Sequence, residues 1–376
     1  MRLPLASFAL ALSLTAANAQ TPVGPSKPPI TSVNPDSSIT FRYQNMGATK
    51  VTVETDAAMN PLPMQRDEKG LWTASTGPLP PEHYGYIFVV DGVQQLDPLN
   101  RNVWPLLVGF GSTILVPGHP PAPWELTSIP HGELTQHTFT TSIATHLAMN
   151  QERYIVYTPP GYDPKRKGGY PILYLLHGWS NDETGWTDIG QANLILDSLL
   201  ATGRILPMIV VMPLGYGDFN FVTTGASVWN DPAAVDDNLN RYSHMLLDEI
   251  YPAVEREYNV ARGRDKHAIA GLSMGGLESL TIGINHPGQF GWVGGFSAAL
   301  KGVDLEKHMM DAKNARDLRL LWVSCGTSDS LLPPNREFIA WAKSKKLPVT
   351  PVETAGKHTW LVWRQNLLAF APLLFR

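Results

Sequence analysis

Ser273 stands between two glycines in Gly271-Leu272-Ser273-Met274-Gly275, after the apolar run Ala268-Ile269-Ala270 and before Leu277-Glu278-Ser279-Leu280. A G-x-S-x-G pattern in that setting marks a sharp strand-to-helix turn that lifts the serine oxygen clear of the chain, with glycines where side chains would collide. A serine hydroxyl is a weak nucleophile at neutral pH. It needs a histidine to take its proton, and the histidine needs a carboxylate to fix its tautomer.

Both partners are sought downstream, on loops that follow strands, because the chain order in an α/β-hydrolase sheet is serine, acid, histidine. "LLWVSCGTSDS" puts Asp329 just past an apolar run, and "VETAGKHTW" puts His358 on the next such loop. Asp304, Glu306, Asp311 and Asp317 precede that run and read as a solvated face. His358 is the only histidine after His308. Donors for a developing oxyanion are expected from the backbone N–H of Met274, which follows the nucleophile, and of Trp179, in the loop after "YLLHGWS". Gly178 would let that loop approach closely. A base of this kind also implies a rate that falls as acid protonates His358.

These loops need a scaffold, and the pattern supplies one. After about Glu125 apolar β-type runs alternate with helical patterns: "RYIVYTPP", "YPILYLLHG", "PMIVVMP", "KHAIAG", "WVGGFS", "RLLWVSCG" and "LPVTPVE" as strands, with "ANLILDSLL", Arg241 to Tyr258 and the segment after Ser273 as helices. Ahead of them, "SITFRYQ", "KVTVETD" and "YGYIFVVDGVQQLDP" alternate with period two and carry an Asp91-Gly92 turn. The expected fold is therefore an α/β domain with a central, mostly parallel sheet over 132–376, preceded by a small all-β sandwich over 31–117. Pro-rich linkers fall at 20–30 and 118–131. The stretch Leu214 to Asn240 is long for a simple connection and reads as a functional loop. Its Tyr216 and Trp229, with Trp186, are candidate substrate-binding residues, while anchoring of the loop is the plainer alternative. Trp72, Tyr84, Tyr86 and Trp104 are candidates for a glycan-stacking surface on the first domain, though core packing that shapes a cleft is preferred.

Composition narrows the class. The chain has 376 residues, 43% of them hydrophobic, enough for two packed domains. Arg2, the apolar run Leu3 to Leu14 and Ala17-Asn18-Ala19 read as an export signal over 1–19, implying a secreted or periplasmic protein. No later run reaches the roughly 18 apolar residues of a membrane span. A net charge of −4 offers no basic stripe for nucleic acid. The single cysteine, Cys325, forms no internal disulfide and reads as a buried thiol. None of the 11 histidines has metal-ligand spacing, so no metal or other cofactor is expected.

Together "YPILYLLHGWSNDETGW", "ANLILDSLLATGRILPMIVVMPLG", "AIAGLSMGG", "CGTSD" and "GKHTWLVWR" resemble the esterase D-like branch of the α/β-hydrolases, in particular carbohydrate esterase family one. The resemblance runs from about Pro130 to Arg376. It implies Ser273 as nucleophile, His358 as base, Asp329 as acid, and the Trp179 and Met274 N–H groups as oxyanion hole. The branch includes feruloyl, acetylxylan and enterochelin-type esterases and mycolyltransferases. Through "YGYIFVVDG" and "LDPLN" the first domain resembles the immunoglobulin-like amino-terminal domain of isoamylase-type and glycogen-binding modules. The resulting expectation is a serine carboxylic ester hydrolase that removes feruloyl or acetyl groups from xylan. Its substrate partner would be an ester-bearing carbohydrate or aromatic ester. The alternatives are a siderophore esterase or acyltransferase with the same triad, and, more remotely, a noncatalytic glycan-binding protein.

Overall fold

The computed structural model describes residues 30–376, so the export signal expected at 1–19 lies outside the described residues. Eight strands form the larger sheet: β1 (Glu133–Thr140), β2 (Gln151–Thr158), β3 (Ile172–Leu176), β4 (Ile209–Pro213), β5 (His267–Leu272), β6 (Trp292–Phe296), β7 (Leu320–Gly326) and β8 (Val349–Thr354). Their spatial order is β1-β2-β4-β3-β5-β6-β7-β8. The pairs β1·β2 and β2·β4 are antiparallel and all later pairs parallel.

Every residue of β3, β4, β5 and β6 is buried, as parallel strands covered by helices on both faces must be. Successive side chains alternate between two cores. Leu173 and Leu175 face helices α1 (Ala192–Ala201) and α5 (Trp360–Phe370) through Ile195, Leu199, Leu367 and Phe370. Ile172, Tyr174 and Leu176 face the opposite layer, where Leu277, Leu280 and Ile284 come from α3 (Met274–Asn285) and Phe338 from α4 (Leu332–Ser344).

Two elements depart from the sequence reading. Strand β1 has no buried residue, so an edge strand of "ELTQHTFT" carries no hydrophobic signal; its pairing to β2 places it. The expected loop from Leu214 to Asn240 is shorter, because helix α2 (Pro232–His244) already starts inside it. Asp231 caps that helix by accepting from Ala233 N and Ala234 N, and Pro232 occupies the first turn, where its missing N–H costs nothing.

The amino-terminal strands make a four-stranded and a six-stranded sheet. Ile39 and Phe41 from the first meet Val53 and Phe88 from the second in one core, a β-sandwich. The Asp91-Gly92 turn has φ of 48° and 88°, as a two-residue hairpin with a type I′ turn requires. Trp72, Tyr84 and Tyr86 are 6%, 3% and 3% exposed, which removes them as a glycan-stacking surface. They are core, with the Tyr86 hydroxyl donating to Asp97 Oδ2 at 2.7 Å.

Two buried groups set the energetics of this frame. The wholly buried Arg364 of α5 clamps the sandwich to the larger domain: Nε donates to Glu82 Oε1 at 2.8 Å, Nη2 to His83 O at 2.9 Å and Nη1 to Ile189 O at 2.6 Å. Burial pushes the Glu82 carboxyl up to about 7 against the pull of Arg364, so desolvation of this pair outweighs its attraction. Truncation still strands a buried carboxyl and two carbonyls: Arg364→Ala is expected to lose about 3–5 kcal/mol of stability in chemical denaturation. An unchanged midpoint would show that the clamp does not hold the domains.

On α3, Glu278 is buried with neither carboxyl oxygen hydrogen-bonded among the described residues, and burial holds its pKa well above the ordinary value. A carboxyl raised in the folded state contributes stability that is complete below its unfolded pKa and is lost as pH rises through the folded one. Thermal unfolding from pH 5 to pH 9 is therefore expected to show a larger drop in Tm for the natural protein than for Glu278→Gln; parallel curves would contradict it.

Candidate active site

Strand β5 ends at Leu272 and α3 begins at Met274, which leaves Ser273 alone in the turn with φ 52° and ψ −111°. The glycines are needed for space. A Cβ on Gly271 would lie 2.4 Å from Gly275 O, and one on Gly275 would lie 2.4 Å from His177 O. The turn is tied at both ends, Ser273 N donating to Phe296 O and Ala299 N to Ser273 O, each at 2.9 Å.

The structure brings Ser273, His358 and Asp329 together from three loops at the carboxyl ends of β5, β8 and β7. His358 Nε2 is 3.0 Å from Ser273 Oγ, and His358 Nδ1 is 2.8 Å from Asp329 Oδ2. Asp329 Oδ1 accepts from Leu331 N at 2.8 Å. Burial raises the Asp329 carboxyl, but the hydrogen bond and charge of His358 and the Leu331 N–H outweigh it and hold it below the usual range. An ionised Asp329 keeps the proton on Nδ1 and leaves Nε2 free to accept from the serine. The ring is steadied edge-on by Trp363 at 4.9 Å, Trp363 packs on Trp360 at 5.3 Å, and Trp360 on Trp186 at 5.2 Å. Cys325 lies nearby but is inert: burial, then the Asp329 charge, push its thiol up to about 12.

The loop after β3, from His177 to Asn181, lies across the turn and is pinned on every side. Gly275 N donates to His177 O at 3.0 Å. Gly215 N donates to His177 Nε2 at 2.8 Å, so the ring proton sits on Nδ1, facing Gly178 O at 2.8 Å. Burial lowers this histidine to about 4 and keeps it neutral. The Trp179 indole donates to Phe221 O at 2.9 Å, and the Tyr216 hydroxyl to Asn181 O at 3.1 Å. A Cβ on Gly178 would be 2.5 Å from Leu272 Cδ1 and 3.3 Å from Ser273 Cβ, so a side chain there would displace the Leu272 methyl beside the nucleophile turn. Neither Trp179 N nor Met274 N donates to an acceptor among the described residues.

Three expected substrate contacts are placed differently. Trp186 and Tyr216 are wholly buried, Trp186 donating to Leu176 O at 2.9 Å, so neither has surface for a ligand. Trp229 packs edge-on to Phe221 at 5.0 Å and lies outside the cavity at Ser273. All three anchor neighbouring parts: the aromatic stack behind His358, the Asn181 carbonyl, and the segment that holds Trp179. That cavity, about 250 Å3, is instead walled by Trp179, Trp360 and Trp363 of the larger domain and by Asp56, Trp104 and Leu106 of the sandwich. Sequence reasoning singled out Trp104 but missed Asp56 and Leu106, because a contact to Ser273 from more than 160 positions away leaves no local pattern. Leu107 N donating to Ser180 O at 2.7 Å seals the two domains together at this point. Among the described residues no cluster of three or more His, Cys, Asp or Glu side chains is arranged to hold a metal, and no helix is long and apolar enough to cross a membrane.

Residues 147–374 match the Esterase family. The endo-1,4-beta-xylanase/feruloyl esterase of Xylanibacter ruminicola is 30% identical over 356 residues, 92% of this chain and 46% of that protein, so the chain spans less than half the length of this relative. Among solved structures, the CE1 ferulic acid esterase of Anaeromyces mucronatus superposes with a TM-score of 0.58 at 22% identity, over 67% of this chain and 93% of that one. The enterobactin esterase of Shigella flexneri gives 0.66 at 19% identity, over 89% and 92%. These two likenesses are likenesses of fold. The chain belongs to the Esterase family and has the α/β-hydrolase fold.

Proposed function

We propose that this esterase is exported and removes hydroxycinnamoyl groups, feruloyl above all, from plant cell-wall polysaccharide such as xylan. The observation that carries the reading is the cavity at Ser273, with indole walls from Trp104, Trp179, Trp360 and Trp363. Its volume of about 250 Å3 exceeds the roughly 150 Å3 that accommodates a benzene ring. Acetate would leave most of that apolar wall uncovered. The Xylanibacter relative is an endo-1,4-beta-xylanase/feruloyl esterase, which favours the feruloyl reading, and Arg2 with Leu3 to Leu14 supports export.

His358 Nε2 takes the proton of Ser273, whose oxygen attacks the ester carbonyl. The N–H groups of Trp179 and Met274 receive the oxyanion, and Asp329 stabilises the imidazolium that forms. His358 then returns the proton to the departing sugar oxygen, leaving an acyl-enzyme. Water, deprotonated by the same imidazole, releases the acid.

A second reading, opening of a catecholate siderophore ester, draws on the fold likeness to enterobactin esterase, which extends over 89% of the chain and so takes in the sandwich. The two readings part on a substrate panel of methyl ferulate, acetylated xylan and a catecholate trilactone. Fastest release of ferulate is expected; preference for acetylated xylan or the trilactone would move the assignment. Ser273→Ala is expected to lower kcat on the order of a million-fold and Asp329→Asn about ten-thousand-fold. A Ser273→Ala protein with a tenth of the activity would overturn the mechanism.

A further inference from the structure

A second cavity, about 420 Å3, runs between the sandwich and α5 and is bordered by Thr55, Asp56, Glu82, Lys357, Thr359 and Gln365. Asp56 and Thr359 also border the cavity at Ser273, so the two spaces meet at these residues, beside His358. We propose that this interdomain cavity receives the alcohol half of the ester, a sugar, and that Asp56 at its inner end accepts a hydrogen bond from a sugar hydroxyl. The proposal deepens the ester-hydrolase reading and rests on it.

Direction comes from the chemistry. The leaving oxygen must lie within reach of His358 Nε2 to recover a proton, so the alcohol departs on the histidine side. His358 is flanked in sequence by Lys357 and Thr359, both of which border the second cavity. The linings then sort the two halves of the ester. Four indoles surround the space at Ser273, whereas no indole borders the outer space, where Thr55, Glu82, Lys357 and Gln365 stand among small and aliphatic side chains.

Asp56 is fixed in place for such a task. Its N–H donates to Gly85 O at 3.0 Å, and its Oδ2 accepts from Gly85 N at 3.2 Å. Oδ1 has no hydrogen-bond partner among the described residues. Gly85 itself admits no side chain, because a Cβ there would lie 2.2 Å from the Trp104 ring that covers it. The sandwich thus sets an indole and a carboxyl side by side at the junction of the two spaces. A half-buried carboxyl with a vacant oxygen favours a hydroxyl-bearing alcohol over an apolar one, which would leave it unpaired.

The test compares two ferulate esters that differ only in the alcohol, a feruloylated arabinoside and methyl ferulate, at kcat/KM. The natural protein is expected to favour the sugar ester by about tenfold or more. Asp56→Ala is expected to cut that preference by up to about tenfold, the range of one net hydrogen bond, with the loss mostly in KM. Asp56→Asn, which keeps an acceptor for Gly85 N, is expected to fall between. Gln365→Trp, an exposed position on the outer cavity alone, is expected to slow the sugar ester and leave methyl ferulate unchanged. Equal losses on both esters, or an Asp56→Ala effect that follows the phenolic hydroxyl of ferulate against cinnamate, would overturn the proposal. If neither ferulate ester turns over in a Ser273-dependent way, the acyl reading fails instead, and the same comparison is made with acetyl xyloside against methyl acetate.

Discussion

The backbone of Ser273 is the constraint on which the site depends. With φ 52° and ψ −111° it sits where residues with a side chain rarely go, at a cost on the order of 1–3 kcal/mol. The surroundings leave no other path. Strand β5 is buried from end to end between β3 and β6, and α3 presses against the same sheet, so the one residue between them must turn abruptly. Gly271 and Gly275 are the places where that turn brings backbone against backbone. The half-buried hydroxyl is thereby set 3.0 Å from His358 Nε2, at the cavity.

Rigidity elsewhere serves that one atom. The imidazole of His358 is held from behind by a row of indoles that ends in the core at Trp186, and from the side by the buried Asp329. The loop of Trp179 is held by four separate elements: α3, the segment after β4, the short helix that carries Phe221, and the sandwich through Leu107. A loop pinned in this way has little freedom to rearrange.

The sandwich walls the cavity at Ser273 rather than standing apart from it. Arg364 lies on the helix that starts two residues after His358, and its guanidinium reaches Glu82 and His83 of the sandwich. The same strand presents Gly85, over which Trp104 lies. Position of the histidine helix and position of the cavity wall are thereby coupled through one buried ion pair.

Much of this was legible in the sequence because it is local. The strand-turn-helix around Ser273, the order of Asp329 and His358 behind apolar runs, the seven buried or half-buried strands and the Asp91-Gly92 turn each leave a signature within a dozen residues. Strand β1 left none, since it is an exposed edge, and the start of α2 was hidden in the Asp231-Pro232 cap. What only the tertiary structure decided is which aromatics face the cavity at Ser273. Tyr216, Trp186 and Trp229 look like pocket residues in sequence and are anchors in space, whereas Asp56, Trp104 and Leu106 come to the serine from a domain more than 160 residues away. An indole is equally at home in a core, an interface or a binding wall, because each buries the same apolar face. Its role is set by what packs against it, and that is a property of the assembled chain.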